Sequence, residues 1–448
     1  MEIAIKLSQF LLSLSLLIIL HELGHFIPAK LFKTRVEKFY LFFDIKYSLF
    51  KKKIGETVYG IGWLPLGGYV KISGMIDESM DTEQMNQEPQ PWEFRSKPAW
   101  QRLIIMLGGV TVNFILAFLI YIGMTYAYGE MFLTNDQVKD GIWVTNPVLE
   151  KAGIHTGDRI VAIDGEKVNR FEASIGAKIM MGKEVVVNRN GAEQTVNLPH
   201  NLIGQFVDAE KKVLVALRVP FVVGGFAKGS PNEKTFKQKD IITSINGQPI
   251  KYIDEVLAFT ENNKGKTFPA TVLRDNKQTN VTMYINAKGK LGIEIGSMTD
   301  KNLEQLGIYK FSRKTYSFAE SIPVGLQKGK DELVGYGKQL KKIFTPSTGA
   351  YKGVGGFFAI FNIFPDQWSW EAFWGITAIL SIMLGVMNLL PIPALDGGHV
   401  MFLLYEMITR RKPSDKFMEQ AQMVGFFLLI GLLLFANGND LYKAVLGK

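Results

Sequence analysis

The chain has no cysteine and only five histidines in 448 residues. The first absence excludes a disulfide framework and any thiolate nucleophile. The second leaves few candidates for a histidine metal site: His21, His25, His155, His200 and His399. Acidic residues are outnumbered, 42 against 51 Lys and Arg, for a formal charge of +9. Such an excess suits nucleic acid, acidic lipid or the cytoplasmic flank of a membrane protein, so the placement of the charges has to decide. Hydrophobic residues make up 47% of the chain, which points to membrane spans mixed with soluble parts.

Four apolar runs read as spans: Leu7 to about Pro28, Leu103 to Tyr126, Phe373 to Leu390, and Met423 to Ala436. The first three have about the length that crosses a 30 Å hydrocarbon core; the last is short and needs its flanks or a thin bilayer. A signal peptide is the competing reading of the first run, but no small-residue cleavage site follows it. Basic clusters lie at Lys30 to Lys53, at Arg95 to Arg102, and at Arg410 to Lys416. All fall on one side of the four spans, the cytoplasmic side by the positive-inside rule, so both termini and the long 130–370 region face outward. Basic residues that hug span ends, without a recognition fold, also argue against nucleic acid as a partner.

Between the second and third spans the chain repeats itself. DRIVAIDG, Asp158 to Gly165, returns as DIITSING, Asp240 to Gly247, with similar segments before and after each copy. Alternating strands, a tight turn and a closing hairpin are implied twice, and the pair looks like two tandem PDZ domains, 131–210 and 211–298. Such domains commonly hold an extended peptide on a sheet edge; spacers that bind no peptide are the alternative. Ser317 to Phe344 then reads as an amphipathic helix for the outer membrane face or for the repeats. The map is therefore a first span in 1–30, a cytoplasmic-side region 31–102, a second span 103–128, the two repeats, a helical connector 299–370, a third span 371–398 and a fourth in 420–438. The fold class is a polytopic α-helical membrane protein carrying two outward-facing β-rich domains.

The chemistry lies in HELGH, His21 to His25. Histidines at i and i+4 share a helix face and can bind one zinc, and Glu22 beside them is placed to take a proton from water. From Leu7 to His21 is about 21 Å of helix, which puts the motif inside the membrane toward the cytoplasmic side, where ionisable residues are expensive and seldom incidental. A hydrolytic zinc needs a third protein ligand. His155 and His200 belong to the outward repeats, so the candidates fall in NLLPIPALDGGH, Asn388 to His399. Pro391 and Pro393 break the helix, Gly397 and Gly398 let the backbone turn, and Asp396 can swing toward the metal at the depth of HELGH. His399 is the rival ligand, and a helix-capping role the rival reading of Asp396.

HELGH in the first span and NLLPIPALDGG in a later one, separated by the repeats, resemble the site-2 protease family of intramembrane zinc metalloproteases, in its bacterial RseP-type branch. PLGGYVKISG, Pro65 to Gly74, adds to the likeness. The resemblance implies zinc held by His21, His25 and Asp396, Glu22 as catalytic base, and Asn388 holding the substrate backbone. It implies single-span substrates in the bacterial inner membrane, cut after another protease has trimmed their outer domain: anti-sigma-factor or signal-peptide remnants. Two stretches depart from the family pattern: GGVTVN, Gly108 to Asn113, and KGVGGFFAIFNIF, Lys352 to Phe364, where relatives show a Gly-Pro pair. A helical substrate must unwind before hydrolysis, and something must accept its freed backbone groups. The glycine-rich Thr57–Met75 loop is read as a hairpin that dips beside the zinc and pairs with substrate through Gly67, Gly68 and Tyr69. A catalytically silent membrane scaffold is the competing class.

Overall fold

The computed structural model describes residues 2–65, 67–75, 88–172, 174–209 and 213–446. They form two compact units, one of Met1–Gly129, Thr315–Lys341 and Val354–Lys448, the other of Glu130–Lys314 and Lys342–Gly353.

The first unit opens with helix α1 (Glu2–Leu31), then strands β1 (Val36–Leu41), β2 (Phe43–Ile54), β3 (Thr57–Leu64) and β4 (Tyr69–Ile72), then helix α2 (Ala99–Tyr128). The sheet order is β2-β3-β1-β4. The tight hairpin is thus β2 with β3, turning at Gly55 with φ +60°. Thr57–Met75 is not a hairpin: β3 runs parallel to β1 on one side, β4 antiparallel to it on the other. Alternation in that stretch marks strands correctly but carries no information about partners, and β1 inserts between them. Leu66 of the loop lies outside the described residues. A small core of Ala29, Val36, Ile72, Ile105, Met106 and Leu403 ties α1, the sheet and α2 together, which fixes the sheet against the helix that carries HELGH.

The second unit holds the repeat. Its first copy contains β5 (Glu130–Thr134), β6 (Ile142–Val144), α3 (Pro147–Ala152), β7 (Arg159–Ile163), β8 (Glu166–Lys167), β9 (Arg170–Phe171), α4 (Ile175–Met181), β10 (Glu184–Arg189), β11 (Ala192–Asn197), α5 (Leu202–Asp208) and β12 (Val215–Leu217). The second contains β13 (Val223–Phe226), β14 (Ile241–Ile245), β15 (Gln248–Pro249), α6 (Ile253–Asn262), β16 (Thr267–Arg274), β17 (Lys277–Tyr284) and β18 (Ile293–Ile295). The sheets β11-β10-β7-β8 and β17-β16-β14-β15 have the same order. An identical ion pair sits in each. Arg189 grips Asp158 through Nε and Nη2, both at 2.7 Å, and Arg274 grips Asp240 at 2.8 and 2.6 Å. Both carboxylates are 1% exposed and also accept the backbone N–H three residues earlier, of His155 and Lys237. Bidentate, fully bonded pairs are the form in which a buried charge is tolerated, and losing one partner of such a pair costs about 3–5 kcal/mol.

The expected 210/211 boundary falls on residues outside the described set, and strand pairing moves it. β12 pairs back with β6, as β18 does with β13, so the first copy runs through Leu217. Each copy ends on a strand that pairs back with one near its start, and hydropathy does not reveal such a closure. The 299–370 stretch is likewise not one connector. Helix α7 (Asp300–Gln305) and β19 (Ser312–Lys314) belong to the second unit, β19 pairing with β5. Helix α8 (Phe318–Ile343) lies, up to Lys341, in the first unit. There it packs along α2: a Cβ on Gly325 would stand 2.6 Å from the Ile122 nitrogen, and the Lys328 Nζ donates to the Thr125 hydroxyl at 3.1 Å.

Four helices complete the first unit: α9 (Phe357–Ile363), α10 (Trp370–Leu389), α11 (Asp396–Thr409) and α12 (Asp415–Leu446). Among the described residues four helices, α1, α2, α10 and α12, are long and apolar enough to cross a membrane. α1 extends past Pro28 to Leu31, and α12 is far longer than its apolar run of Met423 to Ala436. Hydropathy marks the part of a helix that suits lipid, not where its hydrogen bonding stops.

Candidate metal centre

The centre is built where α1, α2 and the start of α11 meet. His21 and His25 lie one turn apart on α1, 8% and 7% exposed, their rings edge to face at 4.9 Å. Glycines bring α2 against them: a Cβ on Gly24 would stand 2.7 Å from Gly109 Cα, and one on Gly109 would lie 2.6 Å from His21 Cε1 and overlap Nε2 of His25. Small residues at helix contacts in this way let backbones approach closely.

Asp396 arrives from the other direction. α10 stops at Leu389, the Pro391–Pro393 stretch cannot continue it, and Ala394 turns the chain with φ +78°. A non-glycine residue in that region stores on the order of 1–3 kcal/mol, and such strain collects at functional sites. α11 then begins at Asp396 itself. The N-cap position belongs to Leu395, one residue earlier, which takes the N-cap role away from Asp396. Its Oδ2 points instead at the histidines, 3.4 Å from Nε2 of His21 and 3.3 Å from Nε2 of His25. The two Nε2 atoms are 3.3 Å apart.

The neighbours of this triangle orient it. Nδ1 of His25 lies 2.8 Å from the Ile105 carbonyl, and Nδ1 of His21 lies 2.9 Å from the Asn113 side-chain amide. The carbonyl can only accept, so Nδ1 of His25 carries the proton and its Nε2 keeps a free lone pair. Asn388, near the end of α10, brings Nδ2 to 3.4 Å from Nε2 of His21. Glu22 follows His21 on α1, and a Cβ on Gly68 would stand 3.7 Å from its Cγ and 2.6 Å from the Tyr40 carbonyl. The segment before β4 therefore lies on α1 beside Glu22. Gly67 sits against the Phe43 ring, where a Cβ would stand 3.0 Å from Cζ. Tyr69 is committed to the sheet, its hydroxyl donating to Asp44 at 2.8 Å and its ring stacked on Tyr40 at 5.4 Å.

His399 turns away. Its Nε2 lies 2.9 Å from the Gln422 side chain on α12, and the cluster whose ligand atoms lie within 4.8 Å of one another among the described residues is His21, His25 and Asp396. Asn113 and the Gly24, Gly108 and Gly109 contact were not singled out by sequence reasoning as parts of the site. A signal existed for Asn113, an amide inside an otherwise apolar run where polar groups are expensive.

Residues 9–432 match Peptidase family M50. The chain belongs to this family. Two proteins named "Putative zinc metalloprotease" are similar to it over nearly their whole lengths. That of Thermotoga maritima is 27% identical over 96% of this chain and 98% of its own; that of Clostridium perfringens is 28% identical over 97% and 98%. The "Regulator of sigma E protease" of Haemophilus influenzae is 27% identical over 98% of this chain and 99% of its own. The M50 chain is thus a zinc metallopeptidase, and its four apolar helices make it an integral membrane protein.

The cluster fits the metal. Tetrahedral zinc with arms of roughly 2.0–2.1 Å sets its ligand atoms about 3.3 Å apart, against 3.3, 3.3 and 3.4 Å here. Oδ2 of Asp396 is a buried carboxylate oxygen with no hydrogen-bond partner, an expensive state unless a cation occupies the triangle.

Proposed function

We propose that this M50 chain is an intramembrane protease that cuts the membrane segments of single-span proteins. His21, His25 and Asp396 hold the zinc, which when bound supplies a Lewis acid and lets water react near neutral pH. Glu22 takes the proton of the attacking water and returns it to the leaving amine. Asn388 bonds the substrate backbone beside His21. The observation that carries this reading is the triangle of ligand atoms on α1 and α11, built around a helix long and apolar enough to cross a membrane. A site at that depth suits a membrane-spanning substrate, whose own helix carries peptide bonds into the bilayer.

The unwound substrate pairs with the outer strand β4, led in by Gly67 and Gly68; the side chain of Tyr69 stays in the sheet and its backbone takes part. Gly68→Val pushes this segment off Ile18 and the Tyr40 carbonyl, so cleavage should fall by at least tenfold with zinc content unchanged. Equal cleavage by Gly68→Val and wild type would remove the strand-pairing step.

We read the basic clusters, by the positive-inside rule, as a sign that the metal centre lies toward the cytoplasm and the two repeats outside, in the inner membrane of a bacterium. We read the repeats as PDZ domains that filter substrates, admitting those already trimmed. The sigma E name of the Haemophilus influenzae relative suggests an anti-sigma-factor remnant. The test is purified chain in proteoliposomes with a single-span peptide carrying either a short outward tail or a folded outward domain, the cut bond being mapped by mass spectrometry. A cut inside the apolar segment of the short-tailed peptide alone is expected. A cut outside the apolar segment contradicts intramembrane action, and equal cutting of both peptides contradicts the filter.

A further inference from the structure

Besides Oδ2 of Asp396, one more buried side-chain oxygen beside the triangle has no partner. Asn113 is 0% exposed on α2, and its backbone carbonyl takes the Ser381 hydroxyl at 2.7 Å. Its side-chain Nδ2 faces Nδ1 of His21 at 2.9 Å, while its Oδ1 is buried with no partner. That arrangement conflicts with the metal. An amide nitrogen only donates, so Nδ1 would have to accept, and a neutral imidazole would then carry its proton on Nε2, the atom that faces His25 and Asp396. Turning the amide over leaves its shape unchanged, removes the conflict with the metal and puts Nδ2 in the place now held by Oδ1. Oδ1 then accepts from Nδ1–H, the orphaned oxygen gains a partner, and Nε2 keeps its lone pair for the metal.

We propose that Asn113 is a positioning residue: its side-chain oxygen fixes the tautomer and tilt of His21, as the Ile105 carbonyl does for His25. One helix, α2, thereby sets both imidazoles from two positions about two turns apart. This inference rests on His21 being a zinc ligand. The rival acceptor for Nδ1–H is the Gly109 carbonyl, which also lies within hydrogen-bonding reach of the ring.

The test measures zinc affinity by chelator competition on the full chain in detergent, independently of cleavage. Asn113→Leu keeps the size and removes the acceptor; Asn113→Asp restores it. Outer-shell partners of ligating histidines are typically worth 10–100-fold in metal affinity, so Asn113→Leu should bind zinc 10–100-fold more weakly. Asn113→Asp should bind within about threefold of wild type on the same scale. The metal-free melting temperature controls for folding, and Asn113→Ala serves if the leucine does not fit. Wild-type affinity in Asn113→Leu assigns the proton to Gly109 and overturns the proposal, as does an aspartate variant no better than the leucine. His21→Ala separates the two readings: zinc binding unaffected by that change removes the metal site itself, whereas its loss with Asn113→Leu unaffected removes only the role of Asn113.

Discussion

Glu22→Gln keeps its zinc and loses cleavage. The substitution preserves the length and shape of the side chain and leaves His21, His25 and Asp396 untouched, so metal content measured on the purified protein should match wild type. Cleavage of a detergent-embedded membrane segment should fall by about 10²- to 10⁴-fold, the usual worth of a general base. A carboxamide cannot take a proton from water, and no other carboxylate besides Asp396 joins the cluster among the described residues. His21→Ala gives the complementary result, loss of both zinc and cleavage. The silent-scaffold reading predicts something different, no cleavage in wild type or variant under any substrate. Residual activity near wild type in Glu22→Gln would pass the proton to another group and break the mechanism.

The apolar runs at Leu103 to Tyr126 and, but for its last residue, Phe373 to Leu390 lie inside α2 and α10 because a lipid-crossing helix must advertise itself over some 20 consecutive residues. The repeat was legible for a similar reason, since Asp158 and Asp240 each open a strand at the same place in a copied pattern. His21 and His25 share a face through local helix geometry, and Asp396 was linked to them only by depth. What stayed hidden depends on which surfaces meet. The Gly24, Gly108 and Gly109 approach exists only when α1 and α2 cross, and nothing along either helix says that they do. Asn113 needs that same crossing to reach Nδ1 of His21. β1 between β3 and β4, and β12 returning to β6, are pairings over distance, and strand periodicity is blind to partner choice. The length of α12 escaped because its polar ends, Asp415 to Gln422 and Asn437 onward, continue a helix that hydropathy ends early.

Gly109→Ala should disable the centre from a helix that contributes no ligand. The added Cβ would overlap Nε2 of His25 and stand 2.6 Å from Cε1 and 2.9 Å from Nδ1 of His21. Distances under 3 Å require something to move, and neither ring is free to do so. His25 is held by the Ile105 carbonyl and His21 by the Asn113 amide, at 2.8 and 2.9 Å, both on the helix that carries the new methyl. Retreat therefore breaks those bonds or spreads the ligand triangle, and sliding α2 away is opposed by the Gly24 to Gly108 contact that sets the crossing. Zinc affinity should drop by about 10- to 100-fold, the worth of an outer-shell contact. Cleavage should drop by at least about 10²-fold even at saturating zinc, because a misplacement of the order of 1 Å carries that penalty. Gly123→Ala is the matched control, since a Cβ there meets nothing within 4 Å and the change sits in the same helix. Wild-type zinc affinity and cleavage in both variants would mean that the imidazoles do not lie against α2, and the orienting roles of Ile105 and Asn113 would fall with that contact.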